Sequence, residues 1–207
     1  MDRRAFLVGA STLALTGCSG VAVVAPQADV QRARYVHDRP PSVTLVTIKN
    51  VGSDNGAHSA LLINARERVM FDGAGSFVSK SVPERNDVLF GMNPAAMDFY
   101  IDFHSRMEFY TQTQTVYLPL SSAEAIYQAA LKAGPVPAAL CTTRTTQVMK
   151  AAPEFAALRQ SFFPNSLYNQ VQRMPGVISR EFRDNDATRE AAIAYEWRGQ
   201  AARNSIE

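Results

Sequence analysis

Residues 42–48 are rich in β-branched side chains and 52–56 (Gly-Ser-Asp-Asn-Gly) is turn chemistry, so a strand followed by a tight connection is expected. A second strand is expected over 57–63. After a polar interruption at 64–68, a third over 69–72 runs into Gly73-Ala74-Gly75, giving a hairpin with antiparallel arms. Residues 83–97 read as irregular, with turn residues at 84–87 and 91–94. Over 96–110, Phe99, Phe103, Met107 and Tyr110 fall at helical spacing as one apolar stripe, and 111–118 reads as a strand. Ser121 with Glu124 forms a capping box for a helix that passes through Ile126, Ala130 and Leu131 to a stop at Gly134-Pro135. A further helix is expected over 142–152. Its four threonines between 142 and 146 are poor helix formers, so packing must hold it. Residues 155–176 are aromatic-rich with prolines at 164 and 175, and 187–199 reads as a C-terminal helix behind the Asp184-Asn185-Asp186 cap region. The expected fold class is α+β, an antiparallel sheet packed against helices.

The first residues follow a different pattern. Arg3-Arg4 precedes an apolar run over 5–15, which has the length of a signal-peptide core and is too short to span a bilayer. Arg3-Arg4-Ala5-Phe6-Leu7 resembles a twin-arginine export signal, and Leu15-Thr16-Gly17-Cys18 resembles the lipobox at which bacterial lipoproteins are cleaved and acylated. The expected organisation is a signal peptide over 1–17, a lipidated tether over 18–41 and a domain over 42–207, with Cys18 as the lipidation site. The chain would then sit in the bacterial cell envelope, facing the periplasm and held to a membrane by its lipid.

Composition narrows the rest. With 207 residues, 46% apolar and 19% charged, the chain can build one packed core. A net charge of +2, with no basic cluster, gives no electrostatic case for nucleic acid. Three scattered histidines and so few cysteines offer no metal-ligand spacing, and no cofactor signature is present.

Once Cys18 is acylated, Cys141 is the only free thiol, and an exported protein seldom keeps one. It either fills the core as a small hydrophobe or does chemistry. At a helix N-terminus the dipole and the unpaired N–H groups favour the thiolate and can receive an oxyanion. A nucleophile of this kind needs a base. His37 lies in the tether and is expected to meet solvent. His104 is expected to be a helix-surface or packing histidine. His58 opens an apolar strand where an imidazole has no packing advantage, and is the better base. Asp72 ends the partner strand and would come roughly opposite His58 if the turn centres near 65 or 66, where it could orient the ring. It could equally cap the turn at Gly73; Asp54, Asn55 and Asn64 are weaker substitutes.

These residues carry a resemblance. Residues 57–63 (Ala-His-Ser-Ala-Leu-Leu-Ile), 69–77 (Val-Met-Phe-Asp-Gly-Ala-Gly-Ser-Phe) and Cys141-Thr142-Thr143-Arg144 opening a helix resemble the circularly permuted branch of the NlpC/P60 superfamily of papain-like proteins. The histidine strand precedes the cysteine helix, the reverse of papain, and within that branch the DUF4105-like group of bacterial envelope proteins is most similar. The resemblance spans about 43–152. It implies a papain-like core with Cys141 as nucleophile and His58 as base, and names no substrate. Peptidoglycan peptide is the nearest amide substrate and an acyl lipid or acyl ester the second option, for a hydrolase or an acyltransferase. The alternative of another class is a non-catalytic binding module of the envelope.

Overall fold

The computed structural model describes residues 22–183; the expected signal region, Cys18 and the helix expected over 187–199 lie outside the described residues. The architecture is α+β. Seven strands form one antiparallel sheet in the order β4-β5-β3-β2-β1-β6-β7. They are β1 (Ser42–Asn50), β2 (Gly56–Asn64), β3 (Arg68–Phe71), β4 (Glu84–Arg85), β5 (Val88–Phe90), β6 (Phe109–Tyr117) and β7 (Ile178–Phe182). Five α-helices accompany them: α1 (Gln27–Ala33), α2 (Pro94–His104), α3 (Leu120–Lys132), α4 (Cys141–Met149) and α5 (Pro164–Gln172). Among the described residues no helix is long and apolar enough to cross a membrane.

The central strand β1 is buried along nearly its whole length, because the sheet is covered on both faces. Val43 and Leu45 join Leu61, Ile63, Ile126, Met149, Phe155 and Leu167 in a core under α3, α4 and α5. Val46 and Ile48 join Ala60, Leu62, Met70, Phe99 and Tyr100 in a second core under α2. Successive residues of one strand therefore serve two cores, which is why β1 reads as a continuous apolar and β-branched run.

Several expectations are corrected. The stretch read as irregular holds the β4–β5 hairpin, whose turn places Asn86 (φ 49°) and Asp87 (φ 65°) in the left-handed region that two-residue hairpin turns require. The helix expected over 96–110 ends at His104. The Ser105 hydroxyl donates to Thr111 (2.8 Å), Met107 is exposed in the following turn, and Tyr110 belongs to β6. The capping box does not form. α3 begins at Leu120 behind Pro119, while the Glu124 carboxylate accepts from the backbone and side chain of Arg66. Residues 155–176 contain α5, and β7 follows it.

The expected tether, from residue 22 on, is part of the fold. Ala25 donates its N–H to the Glu84 carbonyl (2.8 Å) and Asn86 donates to that of Val23 (2.8 Å), extending the sheet edge beyond β4. Val30 of α1 is buried. His37 is half-buried rather than solvated, and its ring nitrogen Nδ1 shares a hydrogen bond with the Tyr35 hydroxyl (3.0 Å). Gly91 makes this docking possible: its φ is 76°, and a Cβ there would stand 2.4 Å from the Ala33 carbonyl oxygen.

Replacing Gly91 by Ala should therefore destabilise the protein by about 1–3 kcal/mol, the usual cost of a strained left-handed residue, read from the urea midpoint. Limited proteolysis should at the same time cut faster at Arg32 and Arg34, since the strain falls where α1 meets the sheet.

Candidate active site

β3 stops at Phe71, opposite Leu61. Two more residues of β3 would have set residue 73 against Ser59, and the first turns of α4 take their place. The Thr145 hydroxyl donates to the Ser59 carbonyl (3.3 Å), and the Ser59 N–H is among the groups that favour the thiolate of Cys141. Ser59 and Thr142 join their hydroxyls at 3.2 Å. Thr146 donates to the carbonyl of Thr142 (2.8 Å) and Thr143 to that of Ser161 (3.2 Å). All four threonines that disfavour a helix are thus hydrogen-bonded, three of them fully buried, and packing holds α4 in place of propensity. Cys141 is its first residue. Leu140 supplies no capping side chain, so no side chain competes for the first-turn N–H groups.

His58 reaches the same sheet edge from the other face. Ile48 pairs with His58 but the next pair is Lys49 with Gly56, leaving Ala57 as an extra bulged residue. A bulge re-aims the side chain beside it. The ring nitrogen Nε2 lies 2.6 Å from Asp72 Oδ1, and the ring stands close enough to Cys141 for each to shift the ionisation of the other. With Nε2 engaged, the nitrogen left for sulfur is Nδ1. The β2–β3 turn centres one residue later than direct opposition requires, so Asp72 is level with Ala60 and reaches His58 diagonally on the same face.

The remaining candidates lie elsewhere. Asp54 accepts from the Tyr110 hydroxyl and faces Lys49 (3.6 Å). Asn55 sits in the turn before β2, its carbonyl accepting from Asn50 (2.9 Å). Asn64 is at the far end of β2, donating to the carbonyls of Arg39 and Pro40 (both 3.0 Å). His104 packs, as expected. Its Nδ1–H donates to the Tyr100 carbonyl (2.8 Å), and its ring stacks at 13° to that of His58 with centroids 6.4 Å apart. Burial holds His104 below the ordinary histidine range, hence neutral at pH 7. Among the described residues no group of three or more His, Cys, Asp or Glu could hold a metal ion.

No family model, curated protein or solved structure matches the chain. The site is read from its own geometry and electrostatics. Burial opposes the charge on Asp72, but the His58 imidazolium, then His104 and the Tyr100 hydroxyl, hold its carboxyl below the usual range. Burial would lower His58; the Asp72 charge and hydrogen bond, with Cys141, outweigh it and carry the ring up to about 10. Burial would raise Cys141; the hydrogen bond and charge of His58, then the Ser59 N–H and the Thr142 hydroxyl, bring it down to about 7. At neutral pH the sulfur is a half-populated thiolate beside an imidazolium.

Three residues not singled out from the sequence complete the arrangement. Tyr100 is fully buried and donates its hydroxyl to Asp72 Oδ1 (2.9 Å). Asp87, read only as a turn residue, accepts from the N–H groups of Ala74 (3.1 Å) and Val136 (2.7 Å), tying together the loops that carry Asp72 and Cys141. Gly75 clears space for the carboxylate, since a Cβ there would stand 2.1 Å from Asp72 Oδ2. Tyr100 had a signal, sharing the apolar stripe of α2 with a hydroxyl that must find a buried partner. Asp87 and Gly75 had none beyond turn chemistry.

A cleft of about 740 Å³ opens beside His58, walled by Gly75 and Ser76 on one side and by Phe103, Met107 and Phe109 on the other. Cys141 is 7% exposed and is not among the residues that line it.

Iodoacetamide labelling of Cys141 should rise with pH through a midpoint near 7, and His58→Ala should move that midpoint up toward an ordinary thiol. An unshifted midpoint in His58→Ala would remove the histidine from the site. Tyr100→Phe should shift it upward by less, because Asp72 stays but loses one donor, and should cost about 1.5–3 kcal/mol of stability.

Proposed function

We propose that the chain is a cysteine hydrolase of the bacterial cell envelope, anchored through Cys18, that cleaves an amide by way of an acyl-enzyme on Cys141. The observation that carries this reading is the constellation of Cys141, His58 and Asp72, in which the carboxylate bonds the imidazole at 2.6 Å and the charged imidazole favours the thiolate. A buried carboxylate, imidazole and thiol in sequence are the parts of nucleophilic catalysis: an orienting group, a base and a nucleophile. A permuted papain-like core is part of the proposal. It is supported by the cysteine opening a helix that packs on an antiparallel sheet, and by the histidine strand that precedes it in the chain.

The chemistry follows from the proton positions. The Cys141 thiolate attacks the carbonyl carbon, and the oxygen takes the negative charge against the uncapped N–H groups of the first turn of α4. The C–N bond breaks as the His58 imidazolium gives its proton to the leaving amine. Neutral His58 then removes a proton from water, which attacks the thioester and returns the thiol. Asp72 keeps the ring in one orientation throughout, and Tyr100 does the same for Asp72.

Cell-wall peptide is the first substrate class. A second reading, an acyl-ester hydrolase or acyltransferase, is favoured by one feature: the Phe103, Met107 and Phe109 wall of the cleft offers an apolar surface to whatever lies beside His58.

Incubation with soluble peptidoglycan fragments and, in parallel, with a fatty-acyl ester should give turnover of one of them, with a mass adduct on Cys141 in a rapid quench. The rate should rise through pH about 7 as the thiol ionises and fall through about 10 as His58 loses its proton, the ion pair existing only between the two. Cys141→Ala should abolish turnover and leave the thermal midpoint within a few degrees. No turnover of either substrate by a protein whose Cys141 labels normally would leave a binding module.

A further inference from the structure

We propose that a face formed by Val23 and Val78, with Lys80 at its rim, rests on the surface of a lipid bilayer and sets the domain down with its β4 edge toward the membrane. This rests on the proposed acylation of Cys18, not on catalysis. Val78 is 80% exposed and Val23 43%. Single exposed valines are ordinary, but these come together: Val23 and Val78 line one hollow of about 460 Å³, whose rim includes Lys80 and Arg32, the latter paired with Asp29.

Chain length supplies the second observation. Five residue steps separate Cys18 from Val23, at most about 18 Å of extended chain. Val23 and Ala25 are fixed to the sheet edge by their hydrogen bonds to Asn86 and Glu84, and Val24 bridges Arg85. An acyl group on Cys18 therefore enters the bilayer within that distance of the face, and the domain has no long leash on which to turn away.

The third observation joins the face to the cleft. Ser76 lines the cleft beside His58, Phe77 is buried against the rings of Phe99, Tyr100 and Phe103, and Val78 points out. Three consecutive residues thus link cleft wall, core and proposed membrane face, and a molecule lying at the bilayer surface meets the cleft within one loop.

The test uses the full acylated chain with Cys141→Ser, carrying Val78→Cys or Ile178→Cys and labelled with bimane; Cys18, as a thioether, takes no label. Residue 178 is on β7, six strand spacings and about 29 Å from β4. In vesicles of phosphatidylethanolamine and phosphatidylglycerol with brominated acyl chains, bimane at 78 should be quenched at least twofold and bimane at 178 not at all. Protein that floats with the vesicles but shows no quenching at 78, or equal quenching at both positions, overturns the face while leaving the anchor. Protein that does not float overturns the anchor, and the face with it.

Discussion

Ser59 shows what the early end of β3 makes possible. A strand residue inside a sheet gives its N–H and C=O to the neighbouring strand, and both groups must be paired somewhere if they are buried. Because β3 stops at Phe71, those of Ser59 have no strand to meet, and the first turns of α4 stand there instead, with Thr145 donating to the carbonyl and the N–H favouring the Cys141 thiolate. One missing pair of ladder bonds therefore docks a helix end-on against a sheet edge. It also fixes the sulfur beside the strand whose preceding residue is His58. Two more residues of β3 would fill the gap and leave Cys141 without its place.

The charges around that gap are expensive. Asp72, Tyr100 and Cys141 are buried and His58 nearly so, and an ion pair withdrawn from water rarely stabilises a fold more than well-packed apolar side chains would. Asp72 alone needs the His58 ring, the Tyr100 hydroxyl and a glycine at 75 to remain a carboxylate in that space. Leu or Met at 58 and 72 would satisfy the second core as well. Polar groups whose ionisation is displaced so far, gathered at the end of a cleft, point to chemistry more than to architecture.

What the sequence made legible is local. The strands around 42–48, 57–63 and 69–72, the helix opened by Cys141, and the roles of His58 and Asp72 as neighbours all depend on period, turn residues and the chemistry of single side chains. What stayed hidden depends on distant partners. The end of α2 at His104 is set by Ser105 meeting Thr111 from another element, which a stripe running on to Met107 and Tyr110 cannot reveal. The capping box failed for the same reason, its Glu124 drawn to Arg66. Residues 22–41 looked like a linker because of their small residues, scattered charge and the Pro40-Pro41 pair; their place in the fold comes from backbone bonds to β4 and from a glycine fifty-eight positions after Ala33.

A lone thiol of lowered pKa is a hazard in the oxidising compartment proposed for this protein, since the thiolate is the species that peroxide and disulfides attack. The geometry limits that exposure. Cys141 is 7% exposed, does not line the cleft, and has no second free cysteine among the described residues with which to pair. Reaching the sulfur then requires a molecule shaped to pass the His58 ring or to approach along the loop before α4, where Val136 and Ala74 are held by Asp87. The same clamp that positions the nucleophile narrows the approach to it, so selectivity and protection come from one arrangement of backbone bonds.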